Sequence, residues 1–108
     1  QRFVVPACGR CGGVLKPDVV FFGESVPGAR VAQARAWCDE ADALLVAGSS
    51  LTVMSGLRFV RQVAASGKPV IIVNRGATRG DELAAWRLDA SASETLEALV
   101  GAGTETAV

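Results

Sequence analysis

Short apolar runs alternate with polar, glycine-bearing breaks along this chain, and two different periods show in them. Val19 to Phe22, Ala43 to Ala47 and Val70 to Val73 are short, continuous apolar runs. Runs of that length and type predict strands covered on both faces of a sheet. Between them the period changes to that of a helix. Ala29 to Ala41 places Val31, Ala34 and Cys38 on one side, and the stretch from Ser55, its expected cap, to Ala65 repeats Leu57, Val60, Arg61 and Ala64 at helical spacing. Ser66-Gly67 ends that helix. A short edge strand is expected over Trp86 to Asp89, then a last helix over Ser93 to Val100 with Leu96 and Leu99 facing inward.

This order predicts an α/β fold, a parallel sheet wrapped by helices. Right-handed crossovers would bring the loops after Phe22, Ala47 and Val73 to one sheet edge, beyond the carboxyl ends where ligands of such sheets sit. Those loops read FGES, GSSLT and NRGAT, all small, polar and glycine-bearing.

Composition narrows the function classes. The 108 residues suffice for one small domain, and a half-apolar, one-fifth-charged chain is globular in profile. Formal net charge is zero, so no direct nucleic-acid binding and no membrane association is expected. Three cysteines do not make a secreted disulfide scaffold, which points to a reducing compartment: the cytoplasm, or alternatively the mitochondrial matrix.

Four short motifs carry candidate chemistry. Cys8-x-x-Cys11, followed by Gly12-Gly13, has the form of one zinc knuckle, with glycines that let backbone amides turn toward sulfur. A redox pair or a chance pair is the alternative, although the helix start expected after a redox CxxC is missing. Cys38, on the apolar side of a helix, reads as a core residue. At the ends of two strands, Gly48-Ser49-Ser50 and Asn74-Arg75-Gly76 suit the phosphates and ribose of a nucleotide, or are ordinary turns. Phe21-Phe22-Gly23-Glu24 offers backbone for strand addition of an extended peptide, with core packing of the phenylalanines as the alternative.

Taken together, CGRCGGVLKPDVVFFGESVP, ADALLVAGSSLTVMSGLRFV, KPVIIVNRGATRGD and RLDASASETLEAL resemble the sirtuin family, and more closely its class II branch, over roughly residues 5 to 100. The resemblance implies an NAD-dependent enzyme that moves acyl groups from lysine side chains to ADP-ribose, releasing nicotinamide. It implies NAD and Zn2+ as cofactors and an acylated-lysine protein or peptide as substrate. The fold implied is the carboxy-terminal part of a Rossmann-like parallel sheet, with half of a small zinc module at its start. Residues 1–16 would be the partial zinc-binding module, 17–100 the partial NAD-binding domain and 101–108 a flexible tail.

By the same resemblance, Cys8 and Cys11 are the second of two metal pairs. Gly48, Ser49, Ser50, Asn74, Arg75, Gly76 and Ala92 would contact NAD. Val20, Phe22, Gly23 and Glu24 would line the substrate peptide, with Thr52 to Met54 on its other side. The family's glycine-rich GAG turn, its nicotinamide-pocket segment, its first cysteine pair and its catalytic histidine are not in these residues, which hold no histidine. The chain is therefore expected to be a carboxy-terminal fragment of a larger deacylase and inactive alone. A non-catalytic module that binds a nucleotide or acyl-peptide is the alternative, and a generic parallel α/β half-domain a third.

Overall fold

A computed structural model of the protein describes residues 2–106, with side chains to residue 101. In chain order the elements are helix α1 (Gly28–Glu40), strand β1 (Leu44–Ala47), helix α2 (Met54–Ala65), strand β2 (Val70–Val73), a 3-10 turn (Asp81–Leu83), strand β3 (Trp86–Leu88) and helix α3 (Ala92–Thr106). The three strands form one sheet in the order β1-β2-β3, parallel throughout, with Leu44 opposite Val70 and Ile71 opposite Trp86. The expected parallel α/β architecture is the observed one.

β2 is the centre. Val70 and Ile72 are fully buried and Val73 nearly so, because strands flank both edges and α2 covers one face. That helix supplies Leu57, Val60 and Val63, three residues apart along one stripe, and Leu51 completes the cluster from the loop before it. Arg61 falls off the stripe and is exposed; Val63 takes the place the sequence pattern gave it. The helix begins at Met54 after Val53, not at Ser55, and Val53 O accepts the N–H groups of Gly56 and Leu57.

α1 packs beside α2 and has no fully buried residue. Val31, Ala34 and Cys38 form its less exposed side, as the pattern predicts, and Cys38 lies against the core. Polar links finish the contact: Gln62 Nε2 donates to Arg35 O (3.0 Å) and Asp39 Oδ1 (2.8 Å), and Lys68 Nζ donates to Asp39 O (2.6 Å).

Four expectations are corrected. Val19 to Phe22 is not a strand: Phe22 is 93% exposed, and the backbone turns at Gly23 (φ +86°), closed by the Glu24 N–H on Phe21 O at 3.0 Å. A strand requires a neighbour to pair with, and among the described residues Val19 to Phe22 pairs with none. β1 itself is covered on one face only, alternating half-buried and exposed residues. Leu96 and Leu99 of α3 are exposed at 39% and 58%. Finally, α3 continues to Thr106, six residues beyond the expected Val100, so the tail expected over 101–108 is helical up to Thr106. Residues 107 and 108 lie outside the described residues.

Ile72 tests the core. Replacing it by alanine is expected to cost about 3 kcal/mol, because the cavity left between β2 and α2 is walled by residues that are themselves fixed. Urea unfolding of Ile72→Ala against the parent would show this as a lower midpoint at unchanged slope.

Candidate functional site

The carboxyl ends of all three strands lie on one rim, because the strands are parallel. Gly48 N–H donates to Val73 O (2.9 Å) and Asn74 N–H donates to Leu88 O (3.1 Å), so the ladder carries on past the strands and holds the two loop starts side by side. The rim tips are therefore Ala47, Val73 and Leu88; Phe22, expected among them, is not in the sheet. Just beyond Leu88, Ser91 caps α3, its Oγ accepting the Glu94 N–H (3.4 Å) and its O the Thr95 N–H (3.0 Å). This sets Ala92 in the first turn of α3, directly against Gly48. A Cβ on Gly48 would stand 3.3 Å from the Ala92 Cβ, and Gly48 has φ +70°. Glycine is required there both for its backbone angle and for the close approach.

The loop from Gly48 to Val53 is held by its own hydroxyls and by one apolar anchor. Ser49 Oγ accepts the Leu51 N–H (3.1 Å), and the hydroxyls of Ser50 and Thr52 share a bond of 2.7 Å. Leu51 has a left-handed backbone (φ +56°), a strained state for a branched residue, yet its side chain is 95% buried in the core. Gly80 closes over it: a Cβ at Gly80 would come within 2.8 Å of the Leu51 Cδ1. Arg79 ties the two rim loops together, N–H to Ser50 O (3.0 Å) and Nη1 to Thr52 O (2.8 Å). Neither Leu51, Arg79 nor Gly80 was singled out by the sequence, where leucine after GSS reads simply as the next apolar residue.

Asn74 turns onto its own loop. Its Nδ2 donates to Arg75 O (3.0 Å) and Gly76 O (3.3 Å), the local turn foreseen as its alternative reading. Gly76 N–H donates to Asp89 Oδ1 (3.0 Å), and the Arg87 guanidinium reaches Gly76 O. Arg75 is exposed. Below the loop, Thr78 donates through N–H (3.0 Å) and hydroxyl to Asp81, whose carboxylate also takes Arg87 Nε at 2.9 Å. The Thr78 hydroxyl and N–H, and then Arg87, hold the Asp81 carboxyl below the usual carboxylate range.

A concavity lies further along the segment that begins at Gly48, past Thr52. It is a cleft of about 460 Å3 lined on one side by Val20, Phe22, Gly23 and Glu24 and on the other by Val53, Ser55 and Arg58. The four residues expected along a substrate peptide thus meet one of the three expected opposite them, Val53. Strand addition is not available as foreseen, since the Phe21–Glu24 backbone is a turn. Glu24 Oε2 accepts the Phe21 N–H (3.2 Å) and Lys16 Nζ stands 4.0 Å from its other oxygen.

The cysteine pair sits apart, on a turn closed by an Ala7–Val14 antiparallel bridge. Cys8 N–H donates to Gly13 O (3.0 Å), Gly12 N–H to Cys8 O (2.8 Å), and Gly13 N–H approaches Cys11 Sγ at 3.4 Å. Backbone N–H groups of Arg10 and Cys11, then the Cys11 thiol, hold the Cys8 thiol below its ordinary value. Amides turned toward sulfur favour thiolates, so the turn fits two of the four ligands of a structural zinc. Among the described residues no further Cys, His, Asp or Glu groups with them, and Cys38 lies in α1 against the core.

The sequence profile described as "Sir2 family" matches residues 1–55. The chain belongs to the Sir2 family. Relatives include NAD-dependent protein deacetylase 1 of Streptomyces coelicolor, 67% identical over 86 residues, covering 80% of this chain and 29% of the relative. NAD-dependent protein deacetylase 1 of Mycobacterium avium is 62% identical over 92 residues, covering 85% and 33%. This Sir2-family chain thus spans about a third of the length of those relatives. Among solved structures, a Sir2 with p53 peptide and NAD+ superposes with TM-score 0.74 at 30% identity over 93% of this chain and 42% of the other. A Sir2 bound to acetylated peptide does so with TM-score 0.75 over the same shares.

Two measurements probe the site's construction. At Leu51 the side chain opposes the backbone, so Leu51→Ala and Leu51→Gly lose nearly the same burial while only glycine relieves the angle. Leu51→Gly is expected to be more stable than Leu51→Ala by about 1 kcal/mol, reversing the usual order of those residues; equal midpoints in urea would contradict it. At Asp81 the depressed folded-state pKa means its stabilisation is whole above about pH 4 and fades as pH falls through that lower value. Hydrogen exchange at the Thr78 and Gly80 amides, corrected for intrinsic rate, should quicken on acidification in the parent, and at all pH values in Asp81→Asn.

Proposed function

We propose that this chain supplies the adenosine side and the peptide side of the site of an NAD-dependent protein-lysine deacylase of the class II branch. The observation that carries the proposal is that one continuous segment, Gly48 to Ser55, supplies both the strand rim and one wall of the cleft. Its glycine and serines stand on the strand rim, and its Val53 and Ser55 line the cleft opposite Phe22 and Glu24. A nucleotide on the rim and an acyl-lysine in the cleft would be neighbours by construction, which is what transfer between them requires.

The rim residues fit a nucleotide. Gly48 and Ala92 leave backbone exposed where any larger side chain would stand, and the hydroxyls of Ser49 and Ser50 and the Asn74 Oδ1 are the polar groups within reach of a ribose or phosphate. Arg75 and Gly76 carry the second edge of that cradle, with Gly76 anchored to Asp89. When bound, NAD supplies an electrophilic ribose carbon with nicotinamide as its leaving group. The protein's part here is to hold the adenosine end and to orient the peptide along Val20, Phe22, Gly23 and Glu24. Cys8 and Cys11 would hold one side of a zinc that braces the segment leading to the cleft.

The general base of such a transfer is a histidine, and this sequence has none. Base and nicotinamide-side groups must come from outside these 108 residues, so the chain alone is expected to give no turnover. The same absence favours the second reading, a binding module without catalysis. An intracellular, reducing location, cytoplasmic or in the mitochondrial matrix, suits the free thiols of Cys8, Cys11 and Cys38.

Equilibrium dialysis with NAD separates the two readings. Part of a larger site should bind at about millimolar Kd, and a self-sufficient module at about micromolar. Under saturating ADP-ribose, hydrogen exchange should slow at residues 48–52 and 74–76; protection elsewhere with none on the rim would overturn the site. NAD-dependent acyl release by the purified chain would overturn its expected inactivity.

A further inference from the structure

Two ionisable side chains line the cleft, and they are in different states. Glu24, on one wall, is already answered: Lys16 lies 4.0 Å from one oxygen and the Phe21 N–H donates to the other. Arg58, one turn into α2 on the opposite wall, is not. Its Nε donates to Ser55 O at 3.1 Å, and its guanidinium carbon lies 5.6 Å from the centre of the Phe59 ring. These two contacts fix the plane of the guanidinium from one edge and one face. Among the described residues, neither Nη makes a hydrogen bond and no carboxylate pairs with the group. Its neighbour Arg61 points elsewhere, toward Met54 Sδ at 3.6 Å, and does not line the cleft.

A half-buried guanidinium that is oriented but unpaired presents two parallel N–H donors, a fork that matches a carboxylate. The cost of ordering the long side chain is already met inside the protein, so an incoming anion gains the interaction with little further loss of rotamer freedom. The other residues on this wall, Val53 and Ser55, are uncharged, so no second ionic group there competes for the guanidinium. A neutral or basic group placed there would leave the cation without an answer.

We infer that Arg58 is a specificity-determining residue of this cleft, selecting acyl-lysine substrates that bring a carboxylate to its free Nη edge. The inference rests on the proposed role of the cleft in holding acylated peptide. The carboxylate has two possible sources, an Asp or Glu beside the acyl-lysine in the peptide, or the end of a dicarboxylic acyl group on the lysine itself.

The test is peptide binding to the whole chain by fluorescence anisotropy, which needs no turnover. One arm compares acetyl-lysine peptides with Glu or Gln at each flanking position. The other arm keeps the flanks neutral and compares an acetyl with a succinyl group. The carboxylate-bearing member of one arm is expected to bind about fivefold tighter, with the advantage shrinking as salt is raised. Arg58→Gln should abolish the preference, while Arg58→Lys keeps part of it. Which arm responds identifies the source of the carboxylate. Equal affinities throughout both arms, or a preference that survives in Arg58→Gln, overturn the role of Arg58 alone. No saturable binding of any peptide overturns the cleft as a peptide site, and the role of Arg58 with it.

Discussion

The site depends on the burial of a single side chain, Leu51. It sits in the middle of a polar loop, in a backbone state that costs a branched residue about 1–2 kcal/mol. Burial of its isobutyl group among Leu57, Val60 and Ile72 is worth more than that, roughly 1.5–3 kcal/mol before packing is counted. The loop is therefore pinned at its centre. Gly48 to Ser50 must lie upward of the pin on the rim, and Val53 and Ser55 beyond it on the cleft. Gly80, packed on the same leucine, brings in the second rim loop, and Arg79 bonds the two loops across the gap.

The polar features of the rim are largely committed to holding its shape. Asn74, Asp81, Asp89 and Arg87 each bond to the backbone of residues 74–80. Beside them stand the small, exposed residues Gly48, Ser49 and Ser50. The cleft is the opposite case. Its wall carries an oriented cation without a counter-charge among the described residues, and the selectivity proposed for the cleft rests on it.

Family membership and geometry bear on different questions. The matches in sequence and fold establish a Sir2-family chain with a parallel sheet, at about a third of the length of its curated relatives. The geometry explains how this chain is assembled: two thiols on a tight turn, a rim of three parallel strand ends, and a cleft joined to that rim by one segment.

Periodicity alone determined most of the elements. β2 was read to the residue, because a run of four β-branched residues between Pro69 and Asn74 has few alternatives, and α1, α2 and β1 were placed within a residue or so. Glycines at strand ends marked the rim loops for a local reason, the backbone angles that only glycine takes freely. What needed the tertiary structure was everything that depends on a partner. Val19 to Phe22 has the composition of a strand, but pairing is supplied by a neighbour and not by the run itself, and the segment folds as a turn. Leu51 and Gly80 looked ordinary because their roles are contacts with residues far along the chain. Arg58 sat unnoticed at a helical position whose exposure, orientation and lack of a counter-charge are properties of the space around it.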